Sequence, residues 1–141
     1  MADETKSNAE LLYEAWGKWN ESKGSDPAMW RDYVNEDFKL FSLANGQHGV
    51  PFTAQCECYE DFERYLNGLL STFEMLEWEV SETVSEGDTV VGLGRTRWKH
   101  RETKKEFDTP VAFVTRWADG RMYEYREFYD TAMVQGTTQA P

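Results

Sequence analysis

The spacing of the apolar residues changes near Glu74, and this change restricts the fold more than any other feature of the chain. Before Glu74, apolar side chains recur every three or four residues, which is typical of helices. After it, residues such as Trp78 and Val80 alternate with polar neighbours, which is typical of half-buried strands. The second half of the chain is therefore expected to form an antiparallel sheet.

Turn signals divide this second half into four long strands. Glycines follow acidic residues at positions 86–87 and 119–120, and a polar segment separates the two hairpins that these turns predict. We predict strands over residues 74–86, 89–101, 107–117 and 121–134, with an earlier strand over residues 38–42.

Three helices are predicted before the sheet. Residues 7–10 read Ser-Asn-Ala-Glu, a capping box, and an apolar face follows until Gly24 stops the first helix. Residues 26–34 begin with Asp-Pro and are expected to form a short second helix. The third and most regular helical pattern covers residues 59–73.

This order of elements predicts an α+β fold in which a curved sheet wraps over the helices. A chain of 141 residues is long enough for one hydrophobic core but not for two. We therefore expect residues 1–141 to form a single domain with its core over about 9–134. The ends, residues 1–6 and 135–141, are expected to be flexible.

Composition restricts the class of function. With 26 acidic and 15 basic residues, the formal net charge is -11, which repels phosphate groups and anionic lipids. Binding to nucleic acid or to a membrane is therefore not expected. No segment has the apolar core of a signal peptide or a membrane span. Cys56 and Cys58 have no partner set for zinc, so we expect reduced thiols, no metal site and a cytoplasmic protein.

The last hairpin separates its residues into two faces. A two-residue loop at 119–120 determines which residues lie opposite each other. One predicted face carries Ala112, Val114, Tyr125, Glu127 and Tyr129. The other predicted face carries Val111, Phe113, Arg126 and Phe128. Because both faces carry large apolar groups, both are expected to be at least partly covered.

The preceding hairpin has two interpretations. A three-residue loop at 86–88 would place Glu79 opposite Arg95 and Glu77 opposite Arg97. The favoured interpretation is a row of charge pairs that needs no ligand. In the alternative, the arginines line a concave face and attract an anionic substrate, and a bulge at a glycine of the second strand would exchange the two faces.

The end of the chain resembles a known superfamily. Residues 119–121 read Asp-Gly-Arg, and residues 125–130 read Tyr-Arg-Glu-Phe-Tyr-Asp. With the order of elements over residues 9–134, this ending is similar to the nuclear transport factor two-like superfamily, which includes ketosteroid isomerase, scytalone dehydratase, limonene epoxide hydrolase and SnoaL-type polyketide cyclases. The resemblance implies a cone-shaped fold of three N-terminal helices on a mostly antiparallel mixed sheet, with an enclosed pocket. It also implies a homodimer through the outer sheet face, assigned here to Val111, Phe113, Arg126 and Phe128.

The resemblance transfers little of the chemistry. By position, the base, the tyrosine and the second acid of ketosteroid isomerase fall on Ser42, Ala15 and Ala112, so steroid isomerisation is not expected. Glu127 corresponds to the water-activating aspartate of limonene epoxide hydrolase. The acid that protonates the epoxide corresponds to Lys99, which does not support epoxide hydrolysis.

Glu127 is therefore the main catalytic candidate. A buried position would raise its pKa and make it a usable base near neutral pH, with Tyr125 and Tyr129 positioning an oxygen atom. In the alternative, Glu127 is exposed or paired with an arginine. Arg97 or His48 would assist, although a histidine in a glycine-containing loop is more often a surface group.

Two functions remain open. The first is a cofactor-independent isomerase, cyclase, dehydratase or hydrolase that acts on a small hydrophobic molecule bearing a carbonyl or hydroxyl group. The second is a non-catalytic ligand-binding or protein-interaction domain with the same fold. In both cases the residues expected to line the pocket are Ala112, Val114, Tyr129, Trp16, Ser42 and Trp98.

Overall fold

The computed structural model describes residues 6–139 and shows the predicted α+β fold. Its elements in chain order are α1 (Asn8–Ser22), a 3-10 helix (Pro27–Asp32), β1 (Val34–Ser42), a second 3-10 helix (Pro51–Thr53), α2 (Tyr59–Thr72), β2 (Phe73–Glu86), β3 (Thr89–His100), β4 (Glu106–Ala118), β5 (Arg121–Phe128) and α3 (Thr131–Thr138). Residues 1–5 and 140–141, which the sequence predicts to be flexible, lie outside the described residues.

The five strands form one curved, open sheet in the order β1-β5-β4-β3-β2. β1 runs parallel to β5, and the other neighbouring strands are antiparallel, so the predicted mixed sheet is confirmed. The apolar sides of α1 and α2 cover the concave face, where Trp16 packs against Phe113 and Phe62 against Phe38. The core therefore lies between this face and the helices.

The predicted capping box starts α1. The Ser7 hydroxyl accepts from the Glu10 backbone N–H at 3.1 Å, and the Glu10 carboxylate accepts from the Ser7 N–H at 2.8 Å. The helix ends at Ser22 with Lys23 as its C-cap, and Gly24 follows with φ of +78°. A Cβ at Gly24 would lie 2.6 Å from the Leu70 side chain, so both the turn and the packing require glycine here.

The predicted second helix differs from the structure. Residues Pro27–Asp32 form a 3-10 helix, and the side chain of Asp26 makes no capping hydrogen bond. Val34 already belongs to β1, where it pairs with Met122 of β5. The helical prediction was wrong at this end because Val34 is buried as part of a strand rather than on a helical face.

The turn between β4 and β5 is the predicted two-residue loop, and both Asp119 and Gly120 have positive φ. The first two pairs beyond it, Ala118 with Arg121 and Trp117 with Met122, also follow the prediction. The register then shifts, because Tyr123 is the extra residue of a bulge. No pattern in the sequence marked this position.

The bulge reverses the predicted faces of β4. The Cα partner of Glu127 is Phe113 rather than Ala112, because a shift of one residue moves every side chain to the opposite face. Val111 and Phe113 are buried on the concave side, so their assignment to an outer face was wrong. Ala112 and Val114 lie on the convex side and do not line the pocket, so the prediction that they line it was also wrong.

The hairpin of β2 and β3 has the predicted pairs of charged residues, but its loop and register differ from the prediction. Glu79 does lie opposite Arg95. However, the loop has two residues rather than three, since Glu86 pairs with Thr89. A bulge at Ser81 then shifts the register by one and restores the predicted pairing.

The C-terminal segment also differs from the prediction. β5 ends at Phe128, and residues expected to continue the strand or to fray form α3 instead. Asp130 caps this helix by accepting from the Met133 N–H at 3.1 Å. Val134 and Thr137 are buried, which anchors the helix on the sheet.

Three further observations concern the described residues. None of the helices there is long and apolar enough to cross a membrane. Within residues 6–139, no group of three or more His, Cys, Asp or Glu side chains could hold a metal ion. Cys56 and Cys58 are free thiols, and burial raises the pKa of Cys56 to about 12.

Candidate functional site

A cavity of about 100 Å³ lies between the concave face of the sheet and the helices. Its wall is mainly aromatic and aliphatic, with a few hydroxyl groups. Glu127 carries the one carboxylate among the described residues of this wall. A single ionisable acid in an apolar cavity is a common feature of ligand and active sites.

The position of Glu127 follows from the order of the strands. β5 lies between β1 and β4, so the neighbours of Glu127 in the sheet are Ser42 and Phe113. The Ser42 hydroxyl donates to Glu127 Oε2 at 2.6 Å. Ser42 was predicted to line the pocket; it does not belong to the cavity wall, but it lies buried directly beside the carboxylate.

A second hydroxyl reaches the same carboxylate oxygen from α2. The Tyr65 hydroxyl donates to Glu127 Oε2 at 2.6 Å. Sequence reasoning assigned Tyr65 only to the apolar face of the helix and missed this role. The sequence did contain one signal for this role: the Tyr65 hydroxyl lies on an otherwise apolar face of the helix. A buried tyrosine hydroxyl needs a hydrogen-bond partner.

Tyr129 extends this network, and we name Ser42, Tyr65, Glu127 and Tyr129 the carboxylate cluster. The Tyr129 hydroxyl lies 2.6 Å from the Ser42 oxygen and accepts from the Ala44 backbone N–H at 3.2 Å. The single hydroxyl proton of Ser42 is already donated to Glu127, so the Tyr129 hydroxyl must donate to the Ser42 oxygen. The order of donation is thus Ala44 to Tyr129 to Ser42 to Glu127, and it fixes the orientation of every hydroxyl.

The environment of Glu127 raises the pKa of its carboxyl group. Desolvation by burial raises the pKa of Glu127, and the hydrogen bonds from Ser42 and Tyr65 oppose this change only in part. No described arginine or lysine forms an ion pair with Glu127, which excludes the alternative of a charge-paired strand glutamate. The carboxyl group is therefore a stronger base than an ordinary glutamate.

The two oxygens of this carboxylate have different partners. Both hydrogen bonds reach Oε2, and no described residue donates a hydrogen bond to Oε1. Oε2 is thus held in place while Oε1 is available to a molecule in the cavity. Such an arrangement fixes the position of the carboxylate and leaves Oε1 able to accept a proton.

Tyr125, a predicted catalytic candidate, also belongs to the cavity wall. Burial raises the pKa of Tyr125 well above its ordinary value, and the nearby Glu127 carboxylate raises it further. Burial likewise raises the pKa values of Tyr65 and Tyr129. All three hydroxyls therefore stay protonated near neutral pH and can donate hydrogen bonds.

Arg97 is not part of the site. It lies on the convex side, where its guanidinium contacts Glu106 at 2.9 Å and Glu77 at 3.5 Å. Arg95 similarly contacts Asp108 at 2.6 Å. These contacts support the favoured interpretation, charge pairs across strands that need no ligand, although Arg95 contacts Asp108 and not the predicted Glu79. The assignment of Arg97 to the pocket was wrong.

His48 also lies apart from the carboxylate cluster. It belongs to the loop after β1, has φ of +58°, and its Nδ1 lies 3.2 Å from the Gln135 Oε1 of α3. It does not belong to the cavity wall. The structure thus places His48 outside the cavity, as a partly exposed loop residue that contacts α3.

Of the two tryptophans predicted to line the pocket, one lines it and one does not. Trp98 lines the cavity, and its Nε1–H donates to the Thr96 hydroxyl at 2.6 Å. Trp16 is buried behind the wall, against Phe113 and close to Gly92, where a Cβ would lie 2.4 Å from the indole ring. Trp16 therefore supports the cavity and does not line it.

Two further indoles in the wall lack a hydrogen-bond acceptor. The buried Nε1 atoms of Trp30 and Trp78 have no partner among the described residues. An unpaired buried donor costs roughly 1–3 kcal/mol, and the buried Nε1 of Trp16, which does not line the cavity, is unpaired in the same way. Sequence reasoning treated both residues as core mass.

The family of the chain can now be stated. The sequence profile of the SnoaL-like domain family matches residues 9–125, which is most of the chain. The chain belongs to this family. A search of curated proteins finds no significant sequence match.

Solved structures show the same fold across nearly the full chain. An NTF2-like protein from Burkholderia thailandensis superposes with a TM-score of 0.79 at 21% identity, covering 96% of this chain and 99% of that one. A candidate SnoaL-like polyketide cyclase from Jannaschia sp. CCS1 gives 0.70 at 20% identity, covering 99% of each chain. TerC, co-crystallised with polyporic acid, gives 0.74 at 11% identity, covering 93% of this chain and 97% of its own. These TM-scores show that the chain shares its fold with these proteins.

Proposed function

We propose that this SnoaL-like protein is a cofactor-independent enzyme in which Glu127 acts as a general base on a small hydrophobic molecule bearing a carbonyl or hydroxyl group. The supporting observation is the arrangement of the carboxylate. Ser42 and Tyr65 hold Oε2, while Oε1 has no partner among the described residues and Glu127 lines an apolar cavity. The relative TerC was crystallised with polyporic acid, an organic molecule, which supports a ligand of this general class.

The proposed step is a proton transfer. Glu127 Oε1 accepts a proton from a carbon next to a carbonyl, or from a hydroxyl or water, and the electron pair stays on the molecule that loses the proton. Desolvation makes the carboxylate a stronger base, and hydrogen bonds to Oε2 keep its ionised form accessible. The neutral acid then returns the proton to the product, and the Tyr125 hydroxyl donates a hydrogen bond to the substrate oxygen.

A non-catalytic ligand-binding domain is the alternative function. It is favoured by the density of rings around Phe113, whose centroid lies 5.3 Å from those of Trp16, Trp78 and Tyr125. Such a wall holds a planar ligand by stacking whether or not chemistry follows. The two functions differ in one measurable property, since only the enzyme moves protons to and from its ligand.

The experiment that tests the proposal is hydrogen exchange into bound carbonyl compounds. Hydrophobic ketones are incubated with the protein in D₂O, and loss of the proton next to the carbonyl is followed by NMR. Wild-type protein is expected to accelerate exchange for at least one ketone that it binds. Glu127→Gln is expected to lower that rate at least 100-fold, because the amide cannot accept the proton.

Matched controls separate chemistry from folding. Glu127→Gln retains an oxygen that can accept from Ser42 and Tyr65, so the variant should stay folded and should bind the ligand as wild-type protein does. Glu57→Gln alters an exposed glutamate of the loop before α2 and should leave exchange unchanged. Exchange that survives in Glu127→Gln would disprove the catalytic role, and binding without exchange in wild type would favour the binding domain.

We also propose a cytoplasmic location, with no nucleic acid or membrane among the partners. Cys56 and Cys58 are both free, which is the usual state of thiols in a reducing compartment. The net charge of -11 repels phosphate backbones and anionic lipid surfaces. A fluorescent fusion that located to the cell surface or was secreted would contradict this proposal.

A further inference from the structure

One oxygen of Glu127 is both unpaired and within reach of a molecule in the cavity. Oε1 accepts no hydrogen bond from a described residue, and it is not one of the fully buried atoms there that lack a partner. The Nε1 atoms of Trp30 and Trp78, in contrast, are fully buried. Glu127 is partly exposed and lines the cavity. A ligand in the cavity can therefore contact Oε1 directly.

No cation of the cavity wall balances this carboxylate. In the described part of the chain, the wall contains no arginine, lysine or histidine. Burial raises the pKa of Glu127, and the groups that oppose this change are the neutral hydroxyls of Ser42 and Tyr65. A carboxylate removed from water without a counter-charge is costly, and a cation carried by a ligand lowers that cost. The cavity therefore favours a positively charged group beside Oε1 over a neutral or a negative one.

Five rings of the wall form a continuous row that begins and ends beside Glu127, and we name this row the aromatic band. Its members in spatial order are Tyr65, Phe62, Phe38, Tyr125 and Phe113. The centroids of neighbouring rings lie between 4.8 and 6.4 Å apart. At one end the Tyr65 hydroxyl bonds to Glu127, and at the other end Phe113 is the sheet partner of Glu127. Aromatic rings attract cations and pack on apolar groups, so the band suits an organic cation.

The size of the cavity and the charge of the chain restrict this cation further. The cavity volume of about 100 Å³ is smaller than the roughly 150 Å³ of an apolar cavity that holds benzene. A ligand with one small ring is therefore the largest that the cavity encloses. The net charge of -11 attracts cations to the protein and repels anions.

We propose that the cavity binds a small hydrophobic ammonium ion, a primary amine on a single ring, whose N–H groups donate to Glu127 Oε1 while its ring packs on the aromatic band. Alkyl amines carry a proton at neutral pH, as the lysine side chain does. This ligand class goes beyond the proposed function, because a carboxylate binds an ammonium ion whether or not it also moves protons. An amine at this position occupies Oε1, so it inhibits proton transfer by the proposed enzyme.

The test compares three ligands of nearly the same shape and different charge: benzylamine, benzyl alcohol and benzoate. Binding to wild-type protein is measured by calorimetry at neutral pH. Benzylamine is expected to bind at least tenfold more tightly than benzyl alcohol, and benzoate more weakly than either. Glu127→Gln should remove the preference for the amine and should still bind the alcohol, because the amide has no charge but nearly the same shape.

Glu57→Gln is the matched control, because it removes the same charge from an exposed glutamate outside the cavity. It should retain the preference for benzylamine. The preference should also persist in about 0.5 M sodium chloride, because salt screens a buried ion pair much less than surface charges. A preference that disappears equally in Glu57→Gln or in salt would overturn the proposal and assign it to the surface charge.

A direct measurement covers a Glu127→Gln variant that fails to fold. In wild-type protein with ¹³C-labelled phenylalanine and tyrosine rings, bound benzylamine should give intermolecular NOEs to Phe113 and Tyr125 of the aromatic band. Tyr13, whose ring is 42% exposed and does not line the cavity, should give none. Binding without NOEs to the band would place the amine elsewhere and overturn the proposal.

The outcomes of the two proposals are separable. Equal affinity for benzylamine and benzyl alcohol in wild-type protein, or no detectable amine binding at millimolar concentration, would overturn the ammonium site and leave the ketone exchange untouched. A preference for the amine in protein that exchanges no ketone would support the ammonium site while the proposed chemistry fails. Where ketone exchange does occur, benzylamine should inhibit it competitively, and exchange that continues unchanged at saturating amine would contradict binding at Oε1.

Discussion

At the scale of single residues, the proposed function depends on how the carboxyl group of Glu127 is surrounded. The sequence placed Glu127 on the pocket side of β5 among tyrosines, which is correct, and Tyr129 belongs to its network. Its closest partners, Ser42 and Tyr65, are distant in the chain by 85 and 62 residues. No local pattern relates these positions, so the hydrogen bonds that determine the chemistry could not be derived from spacing.

A prediction on stability follows from the raised pKa of Glu127. A folded-state pKa above the ordinary value of 4.5 means that folding favours the protonated form. The associated stability is fully present below pH 4.5 and is lost as the pH rises through the raised pKa. Glu127→Gln stays neutral, so its melting temperature should exceed that of wild type by a few degrees at pH 8.

The difference in melting temperature should shrink steadily between pH 8 and pH 4, where the wild-type carboxyl group becomes neutral as well. Thermal unfolding followed by circular dichroism at intervals of half a pH unit measures it. A difference that does not vary with pH would show that Glu127 has an ordinary pKa in the folded protein. Glu57→Gln, a change at an exposed residue, serves as the control.

At the scale of elements, the bulges decide which residues enter the cavity. The sequence predicted the loop of the β4–β5 hairpin and its first pairs, because Asp-Gly turns have strong local preferences. The bulge at Tyr123 then exchanged the faces of β4 and brought Val111 and Phe113 inward. A bulge depends on how a curved sheet packs on its helices, so turn chemistry alone does not reveal it.

The close approach of β2 to β3 next to the bulge at Ser81 requires a glycine at position 94. A Cβ at Gly94 would lie 1.9 Å from the backbone oxygen of Glu79, where no flexible side chain can yield. Gly94→Ala should therefore lower the free energy of unfolding by about 1–3 kcal/mol, the usual cost of forcing atoms into a packed site. Denaturation by urea measures this change.

Gly17→Ala is the matched control, because a Cβ there would meet no atom within 4 Å on the exposed side of α1. Alanine is the better helix former, so this variant should gain about 0.5–1 kcal/mol in free energy of unfolding. Equal effects of the two substitutions would mean that the close approach at the bulge does not constrain the strand.

At the scale of the whole molecule, the convex face of the sheet remains available for a partner. One row of side chains crosses all five strands, pairing Val84 with Val91, Val91 with Val114, Val114 with Arg126 and Arg126 with Phe41. Phe128 is 41% exposed beside this row and Val84 is 58% exposed. An apolar row of this kind at a sheet surface is typical of interfaces.

We propose that the convex face around this row forms a homodimer interface. Ala112 and Val114 replace the predicted Val111 and Phe113, and Arg126 and Phe128 are retained. Wild-type protein should sediment as a dimer at micromolar concentration. Val114→Glu places a charge at the centre of the row and should weaken the dimer at least tenfold. Analytical ultracentrifugation measures both.

Asn67→Glu provides the control, because it adds the same charge at an exposed position of α2 and should not alter sedimentation. Wild-type protein that remains monomeric at micromolar concentration would contradict the interface. A dimer that persists unchanged in Val114→Glu would place the interface elsewhere on the molecule.

The sequence by itself determined those features that depend on neighbours along the chain. The capping box of α1, the helical face of α2, the alternation after Glu74 and the Asp-Gly turn are local, and together with the order of elements they were enough to predict the α+β fold. The tertiary structure decided which face of each strand meets the cavity and which hydroxyls meet Glu127. Those outcomes depend on bulges and on the placement of β1 beside β5, which are set by packing between distant segments rather than by local preference.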